Sequence, residues 1–166
     1  MNIQNLSKRY KVMKIDESDI PMVIRLCNKN IKYYYHYPPM EDEKSIKKAI
    51  QALPPNKTYD DKFFLGFWEG ESLIAVLDLV LSYPDKKTAF IGFFMMEVDF
   101  QGRGIGTQII EEICESLSRR FSFIRLGYVK ENEQSQYFWF KNGFKATGIE
   151  SENDGIKIVV LQKQIK

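Results

Sequence analysis

The chain has 166 residues, 44% of them hydrophobic and 28% charged, with a formal net charge of +2 and no lysine or arginine block. Those values suit one soluble domain with a real core, and they exclude the basic field of a nucleic-acid binder and the ~20-residue apolar run of a membrane helix. The N-terminus lacks the apolar run of a signal peptide, and Cys27 and Cys114 both fall in expected helices, so reduced thiols and a cytoplasmic location are expected.

Lys8 to Ile15 alternates enough to predict a first strand. Asp16-Glu17-Ser18-Asp19 supplies cap chemistry, and Pro21 falls in the first turn of a helix through Val23, Ile24, Leu26 and Cys27. Tyr33-Tyr34-Tyr35-His36-Tyr37-Pro38-Pro39 lies between this helix and the next, and its prolines end any helix. The second helix opens at Glu41-Asp42-Glu43, carries Ile46, Ala49, Ile50 and Leu53, and breaks at Pro54-Pro55-Asn56.

Three strands follow, Lys62 to Trp68, Leu73 to Leu81 and Thr88 to Val98, joined by turns at Glu69-Gly70-Glu71 and Tyr83-Pro84-Asp85-Lys86. Connections that tight make the meander antiparallel. After it come glycines at 102, 104 and 106, a helix from Gly104 to about Arg120, and a strand from Phe121 to Val129. Asn132 caps a helix from Glu133 to Asn142, with Gly143 as its stop. Strands Phe144 to Ile149 and Ile156 to Leu161 close the chain around Asn153-Asp154-Gly155. The expectation is a single α/β domain spanning 1–166, of order β-α-α-β-β-β-α-β-α-β-β. Its sheet is mixed, an antiparallel meander joined to a parallel, right-handed β-α-β unit from Ile91 to Val129.

The apolar end of the third meander strand, Phe94-Met95-Met96, leads within a few residues to Gln101-Gly102-Arg103-Gly104-Ile105-Gly106-Thr107 and then a helix. Glycines let the backbone approach a ligand, and the helix N-terminus favours an anion, so this stretch reads as a phosphate cradle. A nucleotide-triphosphate loop needs Gly-Lys-Ser/Thr, and no lysine is present. A dinucleotide fingerprint needs a third glycine where Thr107 stands and an acid about 20 residues on, near Ser122, where there is none.

The turn resembles the Q/R-x-x-G-x-G/A signature of the GNAT superfamily of acyl-CoA N-acyltransferases. Asn132, Ser135, Lys141, Gly143 and Phe144 are similar to that family's later N-x-x-A/S … K-x-G-F helix, and the element order is also similar, so the resemblance covers nearly the whole chain. It implies a GNAT-like fold and acetyl-CoA as acyl donor, with no metal. The pyrophosphate would rest on Gly102 to Thr107, with Gln101 and Arg103 in the same motif. The pantetheine would pair with the backbone of Phe94, Met95 and Met96, and Asn132, Ser135 and Trp139 would meet it from the other side.

The catalytic positions depart from the resemblance. Where the family often has a tyrosine to protonate the leaving thiolate stands Trp139, whose indole is no practical proton source. Tyr137 is the nearest hydroxyl, but two residues on a helix is about 200° of rotation, and its plainer role is packing. No general base stands at Phe90 or Gly127, where relatives carry one. Asp78 interrupts the apolar run Leu73 to Leu81, where a carboxylate is costly unless paired or facing a cleft. It is the candidate for fixing a cationic amine or relaying its proton through water, against a plain edge position. Glu97, at the end of the pantetheine strand, is a weaker candidate for that role and reads more plainly as a surface carboxylate, and the tyrosine run reads as an acceptor-side wall or a hydrophobic plug. His36 is the only histidine, which argues against a metal site.

Two functions follow from these features: an N-acetyltransferase moving acetyl from acetyl-CoA directly to a small-molecule or peptide amine, or a non-catalytic acyl-CoA-binding sensor on the same fold. The acceptor and the oligomeric state stay open, with the two C-terminal strands as a surface for a homodimer.

Overall fold

The computed structural model describes residues Met1–Lys166. A seven-stranded sheet runs in the order β1-β2-β3-β4-β5-β7-β6. Its strands are β1 (Lys11–Lys14), β2 (Lys62–Glu69), β3 (Ser72–Val80), β4 (Thr88–Met96), β5 (Phe123–Val129), β6 (Lys145–Asn153) and β7 (Ile156–Gln164). β1 to β4 are antiparallel neighbours, β4 and β5 are parallel, and β7 lies antiparallel between β5 and β6. The helices are α1 (Ile20–Lys29), α2 (Ile31–His36), α3 (Glu43–Gln51), α4 (Ile105–Leu117) and α5 (Glu133–Lys141). None is long and apolar enough to cross a membrane.

Strand alternation divides the core into two layers. Leu65, Phe67, Leu77 and Leu126 meet Ile109, Ile113 and Trp139 of α4 and α5 on one face. Phe64, Val76 and Met95 meet Val23, Leu26 and Ile46 of α1 and α3 on the other. Burying both faces is what fixes the register, since a one-residue slip would exchange the two sets.

The expected order holds except for one added helix. Ile31–His36 forms α2, because burial of Tyr34 and the edge-on packing of Tyr33 against it (5.0 Å) reward a turn of helix that the pattern of the segment does not encode. Pro38 then stops it, since the residue before a proline is pushed out of the helical region. The first strand is shorter than expected because Ser7 and Tyr10 belong to a turn, with the Ser7 hydroxyl accepting the Tyr10 N–H at 3.0 Å. β4 ends at Met96 rather than Val98, which starts a 3-10 turn. The last two strands run longer, to Asn153 and Gln164, as a hairpin whose outer member is exposed.

The N-terminal turn is tied to α4 by Glu112, which is 8% exposed. Its carboxylate accepts from the Ser7 hydroxyl (2.8 Å), the Lys8 N–H (3.0 Å) and the Gln108 amide (3.1 Å). Burial pushes this carboxyl up, yet those donors outweigh it and hold it below the usual glutamate range. A depressed folded value adds stability above the unfolded value, about pH 4, and that stability fades as pH falls through the folded value. Glu112→Gln is therefore expected to narrow the difference between Tm at about pH 7 and about pH 3. An unchanged difference would remove Glu112 from the acid response.

Candidate active site

β4 and β5 pair only from Thr88↔Phe123 to Ile91↔Leu126. Beyond that, β4 stays with β3 as far as Met96, and β5 stays with β7 as far as Val129. The two parallel strands therefore part, and beside the freed end of β4 lies a cleft of about 610 Å³, walled by the glycine turn, α5 and the junction of α1 with α2. That volume suits a small organic ligand.

At the open end of β4 the glycine turn takes shape. Gly104 is the N-cap of α4 at φ 77°, in the left-handed region that disfavours any residue with a Cβ. It offers no side chain to cap the helix. The first N–H satisfied within α4 is that of Gln108, which donates to the Gly104 carbonyl at 3.0 Å. The N–H groups of Ile105, Gly106 and Thr107 are left free, with the helix dipole behind them. A Cβ at Gly102 or Gly104 would meet nothing within 4 Å, so this side of the turn faces open space. Gly106 does a different job. A Cβ there would lie 2.6 Å from Met96 Sδ and 3.1 Å from Phe138 Cε2, so its absence lets α4 press onto β4 and α5.

Of the residues expected to hold the cofactor, most line this cleft: Phe94, Met95, Met96, Gln101, Gly102, Gly104, Gly106, Thr107, Asn132, Ser135 and Trp139. Arg103 and Ile105 do not. The Arg103 guanidinium lies over the Phe100 ring, 6.0 Å from its centroid, and the Ile105 side chain is core.

The backbone of β4 is not uniformly free. Glu97 donates its N–H to Ile74 on β3 at 2.9 Å, and antiparallel ladders alternate bonded and unbonded pairs. Met95 therefore turns its N–H and C=O towards β3, while Phe94 and Met96 turn theirs towards the cleft. The Met96 carbonyl already accepts from Asn30 Nδ2 (3.0 Å) and Gln101 Nε2 (3.1 Å). Gln101 also donates to Asn30 Oδ1 at 2.7 Å, so its amide fastens Asn30, at the end of α1, to the turn at the cleft wall.

α5 forms the opposite wall. Asn132 is buried, and its Oδ1 accepts the Ser135 N–H at 3.0 Å, which caps the helix and leaves Nδ2 for a ligand. Trp139 is buried against Phe94, Phe138 and Phe144, at centroid distances of 6.0, 5.0 and 5.1 Å. Tyr137, two residues before it, is 71% exposed on the cleft rim.

The tyrosine run splits between its two expected roles. Tyr33 lines the cleft and packs edge-on to Phe93 at 6.2 Å, with burial pushing its phenol well above the ordinary value. Tyr34 is the plug, donating to Glu41 Oε1 at 3.2 Å, and Tyr35 is exposed. Glu97 is not the surface carboxylate that its place in the sequence suggests. It is 9% exposed and bonded to Lys29 at 2.8 Å, because α1 reaches across to the end of β4. Lys29, Asn30 and Lys32 line the cleft from α1 and α2 and carry no local signal; only tertiary packing brings them there. Asp78 does not line this cleft. It sits under β4 on the α1/α3 side, paired with Lys62 at 2.9 Å.

Residues 25–144 match the family described as the acetyltransferase (GNAT) family. No curated protein matches the chain significantly. Among solved structures, an acetyltransferase from Thermus thermophilus is similar at TM-score 0.75 and 17% identity, covering 93% of this chain and 96% of that one. A ribosomal L7/L12 alpha-N-protein acetyltransferase in complex with coenzyme A is similar at TM-score 0.71 and 19% identity, with 96% of each chain covered. A chimera of the Vibrio cholerae spermidine N-acetyltransferase is similar at TM-score 0.70 and 15% identity, covering 95% of this chain and 96% of that one.

Proposed function

The chain belongs to the acetyltransferase (GNAT) family, and from that premise we propose that it moves the acetyl group of acetyl-CoA directly to the amine of a small molecule or peptide. The observation that carries this is the glycine turn at the end of a strand that has parted from its neighbour. The free N–H groups of Ile105, Gly106 and Thr107 suit a pyrophosphate, which needs several donors and a positive dipole end. Phe94 and the Met96 N–H suit the amides of the pantetheine, and Asn132 Nδ2 suits them from α5.

The acyl group would then lie near the base of the split. Catalysis comes chiefly from holding the thioester and the amine together and from polarising the carbonyl with a backbone N–H as its oxygen becomes negative. Tyr137 on the rim is the candidate for protonating the departing thiolate. The similar structures act, by their names, on a protein amino group and on spermidine, so both kinds of amine belong in the test.

The test follows free-thiol release from acetyl-CoA with spermidine and with short peptides bearing a free amino terminus. Release that depends on one of these amines is expected. A rise in Tm with CoA but no turnover of any amine would replace this reading with a non-catalytic binding domain. No rise in Tm would overturn the cradle itself.

A further inference from the structure

The carboxylate of Asp78, its side chain 14% exposed, sits where the split closes. Asp78 faces Phe93 across the β3–β4 ladder, and the next pair is Leu79↔Ile91, so Gly92 is the extra residue of a bulge. That bulge coincides with the last β4–β5 pair, Ile91↔Leu126, which is where the cleft closes. A Cβ at Gly92 would lie 2.7 Å from Asp78 Oδ2, so the carboxylate occupies the space a side chain at 92 would fill. Gly92 itself is exposed.

The position follows from the cofactor's direction. With the pyrophosphate at Gly104 and the pantetheine running back along Met96 and Phe94, the thioester end approaches Gly92, about 13 Å down the strand from Met96. The acid at Gly92 is therefore at the reacting end. One of its oxygens is bonded to Lys62, and the other, Oδ1, is buried with no hydrogen-bond partner. An acceptor left unmet in a core is costly, and such costs gather at functional sites.

We infer that Asp78 takes the proton from the acceptor's ammonium group, and that Lys62 is the positioning residue that keeps this carboxylate ionised. The inference rests on the acetyl-transfer reading. The balance is simple: the ammonium gives one proton to Asp78, the neutral amine forms the C–N bond, and the C–S bond breaks. CoA leaves as the thiol, carrying the second amine proton, and Asp78 returns its proton to water. Acceptors are thus amines that are cationic in solution.

Lys62 is the only charged group that acts on Asp78. Across the ladders Asp78 faces Phe64 of β2 and Phe93 of β4, with Gly92 beside it, and Val23, Leu26, Cys27 and Ile46 of α1 and α3 belong to the same apolar layer as Phe64. The Cys27 thiol is pushed up to about 12 by burial and stays neutral. Burial raises the Asp78 carboxyl, and Lys62 opposes that rise. Removing Lys62 must therefore lift it further.

The experiment measures kcat/KM against pH, with CoA affinity and Tm, for the whole chain and its variants on whichever amine the wild type acetylates. Asp78→Asn is expected to lower kcat/KM about 100-fold or more with CoA affinity unchanged. Lys62→Met is expected to move the acid limb of the profile to higher pH and to recover activity there. Gly92→Ala, which keeps the charge but displaces the carboxylate, should act like Asp78→Asn.

A double variant, Asp78→Asn with Lys62→Met, removes both charges and guards against misfolding. It is expected to bind CoA and remain inactive. Activity restored in the double variant would mean the pair is only a structural ion pair and would overturn the inference, as would full activity of Asp78→Asn. If the wild type acetylates no amine, the acetyl-transfer reading falls, and this assignment falls with it.

Discussion

Replacing Gly104 with leucine is expected to abolish acetyl-CoA binding while leaving the fold standing. Two effects combine at this residue. Its φ of 77° is left-handed, and holding an L-residue there costs about 1–2 kcal/mol. That is a modest part of a typical domain stability of about 5–15 kcal/mol, so Tm should fall by only a few degrees. The second effect is steric and local. A Cβ at this position meets nothing within 4 Å, and the free N–H groups of Ile105, Gly106 and Thr107 follow it directly in the chain. A leucine is expected to occupy the volume in which a phosphate reaches those donors. CoA affinity is expected to drop by roughly 100-fold or more in a calorimetric titration, since the pyrophosphate would lose its backbone donors together. Near-native affinity would mean that the pyrophosphate lies elsewhere.

Trp139→Ala should give the largest loss of stability among the cleft residues. The indole is 7% exposed and packs edge-on against Phe94, Phe138 and Phe144. Removing a buried tryptophan costs about 3–5 kcal/mol, the transfer term plus the cavity left behind. For a chain of this size that is a fall of about 10 °C in Tm. Phe94 supplies both the backbone of the cleft and one wall of this cluster, so its ladder should loosen and CoA binding should weaken together with stability. Trp139→Phe, which refills most of the space, is expected to recover most of both. Loss of turnover in Trp139→Phe at native stability and affinity would instead give the indole a chemical role.

Much of the fold is written in local pattern. Alternation along Leu73 to Leu81, the helical spacing of Ile105, Ile109 and Ile113, and the turn residues between the strands each report on their own neighbourhood. The glycine turn is readable for the same reason, since the donor site is built from consecutive residues. What pattern could not carry lies in contacts between distant segments. α2 exists because Tyr33 and Tyr34 find partners in Phe93 and Glu41, and five consecutive aromatic or imidazole side chains have no helical period of their own. Glu97 reads as a surface residue until Lys29 arrives from α1.

Asp78 is the sharpest case. Its oddness in an apolar strand is plain from the sequence, but its meaning depends on a register that sets it opposite Phe93 and beside a side-chain-less Gly92, and on Lys62 from the next strand. Gln101 shows the reverse. Its place in the motif suggests a phosphate contact, whereas its amide is committed to Asn30 and the Met96 carbonyl. Met95 likewise carries a motif position but turns its backbone to β3.

A crystal structure of the chain with CoA would decide whether the glycine turn holds the pyrophosphate. The pyrophosphate oxygens should lie within about 3 Å of the N–H groups of Ile105, Gly106 and Thr107. The pantetheine should run between β4 and β5 with its sulfur near Gly92. CoA bound outside the split, or with its pyrophosphate away from the glycine turn, would contradict it.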